Sequence, residues 1–396
     1  MKVWLRSLSV RLFVLSFLFS VSVQAGSGGY PAPGLYEHSK HSPLIDLIDS
    51  AQHMIDIEIY SMEDPLVRKA LLNAIKDDVK IRIIQERNPV GGNCDIFEEN
   101  PGTDDAACAS LKAFRANIIK AGGTYEPFSK RLCGSGNAAC VQHGKMILID
   151  ARVAMLSSGN FNSSSICNLE GNATRCNRDY SYVIHYLPAV KILGQVFERD
   201  LRAEAYDLEG LLSRSGGEDL TVSPFSMDPI IDFIRSAKKS ISIQHQYLKD
   251  PTMNAAILDA AKRGVKVQIN VASACAFGPP NDSAAKAWTK TYSAFEAAGA
   301  KVRIFTSSIR VGGMPGYMHA KAILVDGTTA WVGSVNGSTQ ALEANREFGV
   351  FFDGENDIRL LASTMQNDFK NPDGETWQES LRCLKDKDAE PLELSF

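Results

Sequence analysis

No excess of one charge runs through this sequence. Lysine and arginine number 42 against 46 aspartates and glutamates, for a formal net charge of −4. A general nucleic-acid binder usually presents a basic face, so the balance weighs against one, although a locally positive cleft is compatible with an acidic total. Aromatic residues are 8% of the chain and are scattered, without the stacking pattern of a single-strand binder. No tight Cys-x2-Cys pair and no histidine cluster appears, which argues against a zinc site. After Val23 no apolar run is long enough to span a bilayer, and Leu394-Ser395-Phe396 is not a prenylation signal.

The N-terminus departs from this pattern. Lys2, Arg6 and Arg11 precede an apolar run from Leu12 to Val23, followed by Val23-Gln24-Ala25. A charged start, a short apolar stretch and an A-x-A-like site predict a cleaved secretory signal over residues 1–25. Periplasmic or secreted location is therefore expected, and with it an oxidising compartment. In such a compartment an even number of cysteines, here eight, favours disulfides. Nearness in the chain suggests Cys94–Cys108, Cys133–Cys140 and Cys167–Cys176, which leaves Cys275–Cys383.

Two short patterns carry the chemistry. The first is His143-Gly144-Lys145, then Asp150, then Ser157-Ser158-Gly159-Asn160. The second is His319-Ala320-Lys321, then Asp326, then Gly333-Ser334-Val335-Asn336, at the same spacing. A phosphodiester is anionic, so attack on it needs cationic and hydrogen-bonding groups around its oxygens. Lys145, Lys321, Ser158, Ser334, Asn160 and Asn336 are of the types that supply them. One neutral imidazole can act as nucleophile while a second, protonated one donates a proton to the leaving oxygen. One such histidine stands in each half of the chain. Asp150 and Asp326 are counted with the catalytic set, although an Asp closing a strand is also a common turn residue.

These paired His-x-Lys-x4-Asp segments with their Gly-Ser-x-Asn tails resemble the phospholipase D superfamily. The likeness covers both halves, and the first motif departs from it once, with Ser157 where the family usually has Gly. The resemblance implies two similar α/β subdomains packed about a pseudo-two-fold axis, with both motifs in one cleft. It implies a covalent phosphohistidine intermediate and no cofactor or metal, with His143 as nucleophile and His319 as acid/base; the reverse assignment is physically open. It also implies that an acidic residue later in each half orients a histidine. Asn177-Arg178-Asp179-Tyr180 and Asn345-Arg346-Glu347-Phe348 match one another, and make Asp179 and Glu347 the candidates.

The duplication extends beyond the motifs. Pro43-Leu44-Ile45 to Val79-Lys80-Ile81 aligns without a gap with Pro229-Ile230-Ile231 to Val265-Lys266-Val267. Each half should open with a helix, then an apolar strand (Met54–Tyr60, Ile241–Tyr247), then Asp64 or Asp250 as N-cap before Pro65 or Pro251. Buried strands Met146–Ile149 and Ala322–Val325 should hold His and Lys at one end and Asp at the other. Subdomains are placed at residues 26–212 and 213–396, joined near Arg214-Ser215-Gly216-Gly217. The segments 88–142 and 272–318 read as long loops rimming the cleft, and a disulfide between Cys167 and Cys176 would pin an insertion beside it. Of the other histidines, His38 and His41 read as solvated, while Glu58, Tyr60 and His245 are candidates for the cleft wall.

The function expected is an exported, monomeric phospholipase D. It would hydrolyse glycerophospholipids at a membrane surface to phosphatidic acid and a free head group, with head-group transfer to another alcohol as a variant. The alternatives are an exported nuclease of the same superfamily and a binding protein with a dead site.

Overall fold

The computed structural model describes residues 29–89, 94–98, 106–133, 139–168, 170, 173–276 and 280–384. The expected signal segment 1–25 lies outside them.

The first half runs β1 (Gly34–Glu37), α1 (Leu44–Ser50), β2 (Met54–Ile59), α2 (Pro65–Lys76), β3 (Lys80–Gln85), α3 (Ala106–Lys120), β4 (Thr124–Pro127), β5 (Lys145–Ile149), β6 (Val153–Ser157), β7 (Cys176–Arg178), β8 (Tyr180–Ile184), α4 (Leu187–Leu201) and α5 (Leu208–Leu212). The second half runs β9 (Leu220–Val222), α6 (Met227–Ser236), β10 (Ser240–His245), α7 (Pro251–Lys262), β11 (Lys266–Ala272), α8 (Asp282–Ala297), β12 (Lys301–Phe305), β13 (Arg310–Val311), β14 (Met314–Met318), β15 (Lys321–Val325), β16 (Thr329–Gly333), α9 (Thr339–Glu343), β17 (Phe348–Phe352), α10 (Glu355–Lys370) and α11 (Trp377–Ser380).

Each half builds a seven-stranded mixed sheet, and the two have one topology. The first is ordered β1-β8-β6-β5-β2-β3-β4 and the second, from its matching edge, β9-β17-β16-β15-β10-β11-β12. The fold is therefore α/β with two similar subdomains, and the repeat includes β1 and β9, which are too short and dissimilar to align by sequence. Helices α1, α2 and α3 cover the outer face of the first sheet, α6, α7 and α8 that of the second. The inner faces meet through β6, β8, β16 and β17 over a core shared by both halves, including Leu148, Leu156, Leu193, Leu324, Val350 and Leu361.

Strand β2 shows why the register is fixed. Ile55, Ile57 and Ile59 point to the outer core, Asp56 and Glu58 to the inner face. Asp56 is paired there with Arg82, whose Nε and Nη2 lie 2.6 and 2.7 Å from its two oxygens. A one-residue slip would drive both carboxylates into the isoleucine core. An unpaired buried charge costs more than the ~1.5–3 kcal/mol that one buried isoleucine contributes, so the slipped register is excluded.

The cap expectation is met in both halves. Asp64 accepts from Leu66 N and Val67 N, and Asp250 from Met253 N, ahead of Pro65 and Pro251. Each cap also receives a hydroxyl from the segment after the motif tail: Ser163 Oγ donates to Asp64 at 2.5 Å and Thr339 Oγ1 to Asp250 at 2.6 Å. The caps thus tie the strand ends to the loops that carry Asn160 and Asn336.

Two expectations are revised, the loop segments and His38, while the three described cysteine pairs are as expected. Segments 88–142 and 272–318 are not simply long loops: α3, β4, α8 and β12 belong to the two large sheets and their layers, β13 and β14 form a three-stranded sheet with β7, and residues 90–93, 99–105, 134–138 and 277–279 lie outside the described residues. His38 is not solvated. Its ring is buried between Ser165 O and Ser181 Oγ, as a sheet-edge residue held by the loop after Asn160. Cys94–Cys108, Cys133–Cys140 and Cys167–Cys176 are bonded. Cys275 is also in a disulfide, and the side chain of Cys383 lies outside the described residues. Among the described residues no helix is long and apolar enough to cross a membrane.

Candidate active site

The site forms at the strand ends where β5 and β15 begin. These strands pair antiparallel with β2 and β10, so Lys145 lies opposite Ile59 and Lys321 opposite His245. His143 and His319 sit two residues earlier, at the same edge. Gly144 lets the first motif pass close to the second half, since a Cβ there would run into the Phe348 ring.

The segment before β5 crosses to the other half. Gln142 forms a parallel bridge with Arg346, His143 N donates to Arg346 O at 2.9 Å, and Arg346 N donates to Val141 O at 3.0 Å. β14, ahead of the second motif, pairs in parallel with β7, matching Met318 with Arg178. Each histidine is therefore delivered to the acidic residue of the opposite half. His143 Nδ1 lies 2.8 Å from Glu347 Oε2, and His319 Nδ1 lies 3.0 and 3.1 Å from the Asp179 oxygens. A carboxylate only accepts, so each Nδ1 carries the proton and each Nε2 is left with a lone pair.

Behind each acid is an arginine held by the opposite half. Arg178 Nε and Nη2 donate to Asp368 of α10 at 2.7 and 2.9 Å. Arg346 Nε and Nη2 donate to Asp200 of α4 at 2.7 and 3.0 Å. These planar, two-point contacts fix the backbone that presents Asp179 and Glu347.

The electrostatics follow from depth. The imidazoles keep 15% and 10% of their side-chain surface exposed, whereas Lys145 and Lys321 are sealed behind them. Burial, only partly opposed by the neighbouring acid, lowers both histidines to about 4, and each also feels the lysine of the other half. Lys321 Nζ also donates to Ser158 O in the tail of the first motif at 3.4 Å, so the two motifs meet at one site. Burial lowers Lys321 to about 8 and takes Lys145 well below its ordinary value. Despite its burial, Asp179 is held at about 2 by His319 foremost, and Glu347 is lowered by His143. The site thus sets two neutral imidazoles beside two buried lysines, whose charged form an anion would favour.

Lys145 Nζ donates to His143 O, and Lys321 Nζ donates to His319 O at 2.6 Å and lies 3.2 Å from His319 Nε2. The Tyr60 ring packs edge-on to His143 at 4.9 Å and lies under Lys145 Nζ at 5.4 Å. Asn160 and Asn336 are buried with side-chain oxygens that find no partner among the described residues. These two oxygens are unspent polar atoms of the tails.

Some expected site residues have other roles. Ser158 Oγ donates to Asp179 at 2.6 Å and accepts from Tyr180 N, and Ser334 Oγ accepts from Phe348 N and donates to Phe348 O at 3.3 Å. Ser158 holds a histidine-orienting acid and Ser334 the backbone next to the other, so both hydroxyls are engaged within the fold. Gly159 is needed here, because a Cβ would lie 2.7 Å from an Asp179 oxygen. Ser157 fits where Gly333 stands opposite, its hydroxyl bonding Gly159 N at 3.0 Å.

Asp150 and Asp326 are corrected out of the catalytic set. They lie at the far ends of β5 and β15. Asp150 accepts from Gln52, His53 and Met54 N and from the Tyr30 hydroxyl, and Asp326 from Lys238, Lys239 and Ser240 N. Each binds the turn that leads into its partner strand.

Nothing in residue order indicates that the histidine–acid pairs cross between halves, nor that Asp200 and Asp368 support them. His245 is buried, with neither ring nitrogen partnered among the described residues. Among the described residues no group of three or more His, Cys, Asp or Glu is arranged to hold a metal.

Comparison with known proteins gives a consistent picture. The family model described as "Cardiolipin synthase, PLD-like domain" matches residues 44–201 and 230–371. Cardiolipin synthase 1 of Staphylococcus epidermidis is 23% identical over 375 residues, covering 91% of this chain and 70% of that one. Cardiolipin synthase of Clostridium perfringens is 25% identical over 366 residues, covering 84% and 68%. In fold, the chain is similar to phosphatidylserine synthase of Haemophilus influenzae, with a TM-score of 0.60 at 13% identity, over 89% of this chain and 92% of that one.

Proposed function

Given that the chain belongs to the phospholipase D superfamily and is a phosphodiesterase-type enzyme, we propose that it cleaves glycerophospholipids at the head-group phosphate ester through a phosphohistidine, passing the phosphatidyl group to water or to an alcohol. The observation that carries this reading is the crossed pair of histidine–carboxylate contacts, which leaves two reactive Nε2 atoms beside two buried lysines.

The phosphate oxygens are neutralised by Lys145 and Lys321 and receive hydrogen bonds from Asn160 and Asn336. His143 Nε2 attacks phosphorus, and the bond to the head-group oxygen breaks. His319, protonated as the anionic diester raises its proton affinity, gives that oxygen its proton. His319 then takes a proton from the incoming hydroxyl, whose oxygen forms the new ester or acid bond as the P–N bond breaks. Glu347 and Asp179 stabilise the imidazolium formed at each stage.

The two named synthases among the relatives favour an alcohol as acceptor, and the mild acidity of the chain favours a lipid over nucleic acid. Action outside the cytoplasm, at a membrane surface and as a monomer, completes the reading.

The test is a parallel assay on mixed phospholipid vesicles, with and without phosphatidylglycerol, and on single-stranded DNA, with His143→Ala and His319→Ala as controls. Phosphatidic acid alone indicates hydrolysis, and a diphosphatidyl product indicates transfer. DNA cleavage with intact lipid, lost in both variants, would overturn the lipid assignment.

A further inference from the structure

One buried position differs between the halves although their topology makes it equivalent. Glu58 on β2 lies opposite Met146 and Ile84, as Gln244 on β10 lies opposite Ala322 and Asn270. Both side chains point to the inner face and are buried.

The Gln244 amide is used at both ends. Its oxygen accepts from the Tyr180 hydroxyl at 2.7 Å and its Nε2 donates to Asp368 at 2.7 Å. Asp368 in turn receives the fork of Arg178. In the other half Asp200 stands for Asp368 and Arg346 for Arg178. Phe348 stands for Tyr180 and has no hydroxyl to give. Gln142 takes over that task, its Nε2 donating to Glu58 Oε2 at 3.3 Å.

That leaves Glu58 Oε1 buried with no donor among the described residues, with the Asp200 carboxylate as its acidic neighbour in the place where Gln244 meets Asp368. Two ionised carboxylates meeting there would be acceptor against acceptor in a dry interior. One proton resolves the contact. Arg346 occupies both Asp200 oxygens and Tyr206 donates to one of them at 3.1 Å, so Asp200 is the member held as carboxylate.

We propose that Glu58 is a protonated carboxylic acid at neutral pH and a positioning residue, donating to Asp200 as Gln244 donates to Asp368. The chain of contacts runs from Glu58 to Asp200 to Arg346, whose backbone carries Glu347 and accepts from His143 N. The charged and titratable groups facing Glu58 are Asp200 on α4, Tyr206 after it and Arg346 before β17. Burial first, then the field of Asp200, pushes its proton affinity well up, against the opposing pull of Arg346.

The inference is tested by infrared difference spectroscopy of wild type against Glu58→Gln, with kcat/KM for Glu58→Gln and Glu58→Ala. Its activity arm rests on the phosphodiesterase reading; the spectroscopic arm does not. A protonated-carboxyl C=O band should be present in wild type at neutral pH and absent in Glu58→Gln. Glu58→Gln should keep kcat/KM within about threefold, since the amide makes both hydrogen bonds. Glu58→Ala should lose about 10–100-fold, mostly in kcat, as when a supporting residue behind a catalytic group is removed. Absence of the band, or equal loss in the Gln and Ala variants, would overturn the proposal. Should no diester be turned over, the band alone decides it and the functional reading fails separately.

Discussion

His143 and Glu347 form a 2.8 Å contact between opposite halves of a duplicated chain. Its counterpart joins His319 to Asp179. Neither half holds a complete histidine–acid pair, so the interface is part of the candidate active site. Glu347→Gln and Asp179→Asn should each lower kcat by about 10³–10⁴, the range seen when an orienting carboxylate is neutralised and the tautomer lost. Double-mutant cycles give the sharper check. His143 should couple with Glu347, and His319 with Asp179, while His143 with Asp179 should come close to additivity. Equal coupling in every combination would contradict the crossed arrangement.

Asp150→Ala should cost stability and spare chemistry. Its carboxylate holds three backbone N–H groups and the Tyr30 hydroxyl. Loss of such a charged acceptor at an exposed turn costs about 1–3 kcal/mol, which lowers Tm by several degrees in a domain of this size. Those hydrogen bonds also hold Asp150 below its ordinary value. A depressed acid stabilises the fold above its unfolded value and loses that contribution as pH falls through the folded one. The difference in Tm between wild type and variant should therefore shrink in strong acid. Activity per folded molecule should match wild type; a large drop in kcat would return Asp150 to the catalytic set.

Much of this was readable from residue order alone. Duplicated spacing located His143, Lys145, His319 and Lys321, and cap chemistry located the starts of α2 and α7. What escaped was set by three-dimensional crossing. The matching Asn-Arg-acid segments indicated Asp179 and Glu347, but nothing local states which histidine each serves. Ser158 and Ser334 looked like phosphate ligands because a hydroxyl beside a motif has no visible partner until the strand two elements later returns with one. His38 looked solvated because its burial depends on a loop more than a hundred residues further along.

The Cys167–Cys176 disulfide should matter to turnover. Cys176 begins β7, which runs through Arg178 to Asp179 and pairs with β14 just ahead of His319. The bridge thus anchors the strand pair that brings one acid to its histidine. A double Cys→Ser variant should lower kcat several-fold and cost about 2–3 kcal/mol of stability, as for a short closed loop. Selective reduction with unchanged kinetics and unchanged Tm would remove the bridge from the account of the site.

His245 offers a cleaner reading of pH than the catalytic pair. It lies beside Lys321 in the sheet, buried, with neither ring nitrogen partnered among the described residues, where the first half has Ile59. Burial foremost, then Lys321, lowers it from 6.5 to about 3. Between those values the unfolded chain binds a proton that the folded one refuses, so stability falls as pH drops through that window. His245→Ile removes both the orphaned polar atoms and the proton. It should raise Tm at neutral pH, since relieving an unsatisfied buried group gains about 1–3 kcal/mol. It should also flatten the decline of Tm from near neutrality toward pH 4, leaving the contributions of His38, His143 and His319, which are lowered as well. A variant less stable than wild type with the same acid slope would mean that His245 is held by hydrogen bonds in solution, and that the second half keeps a histidine there for what it binds.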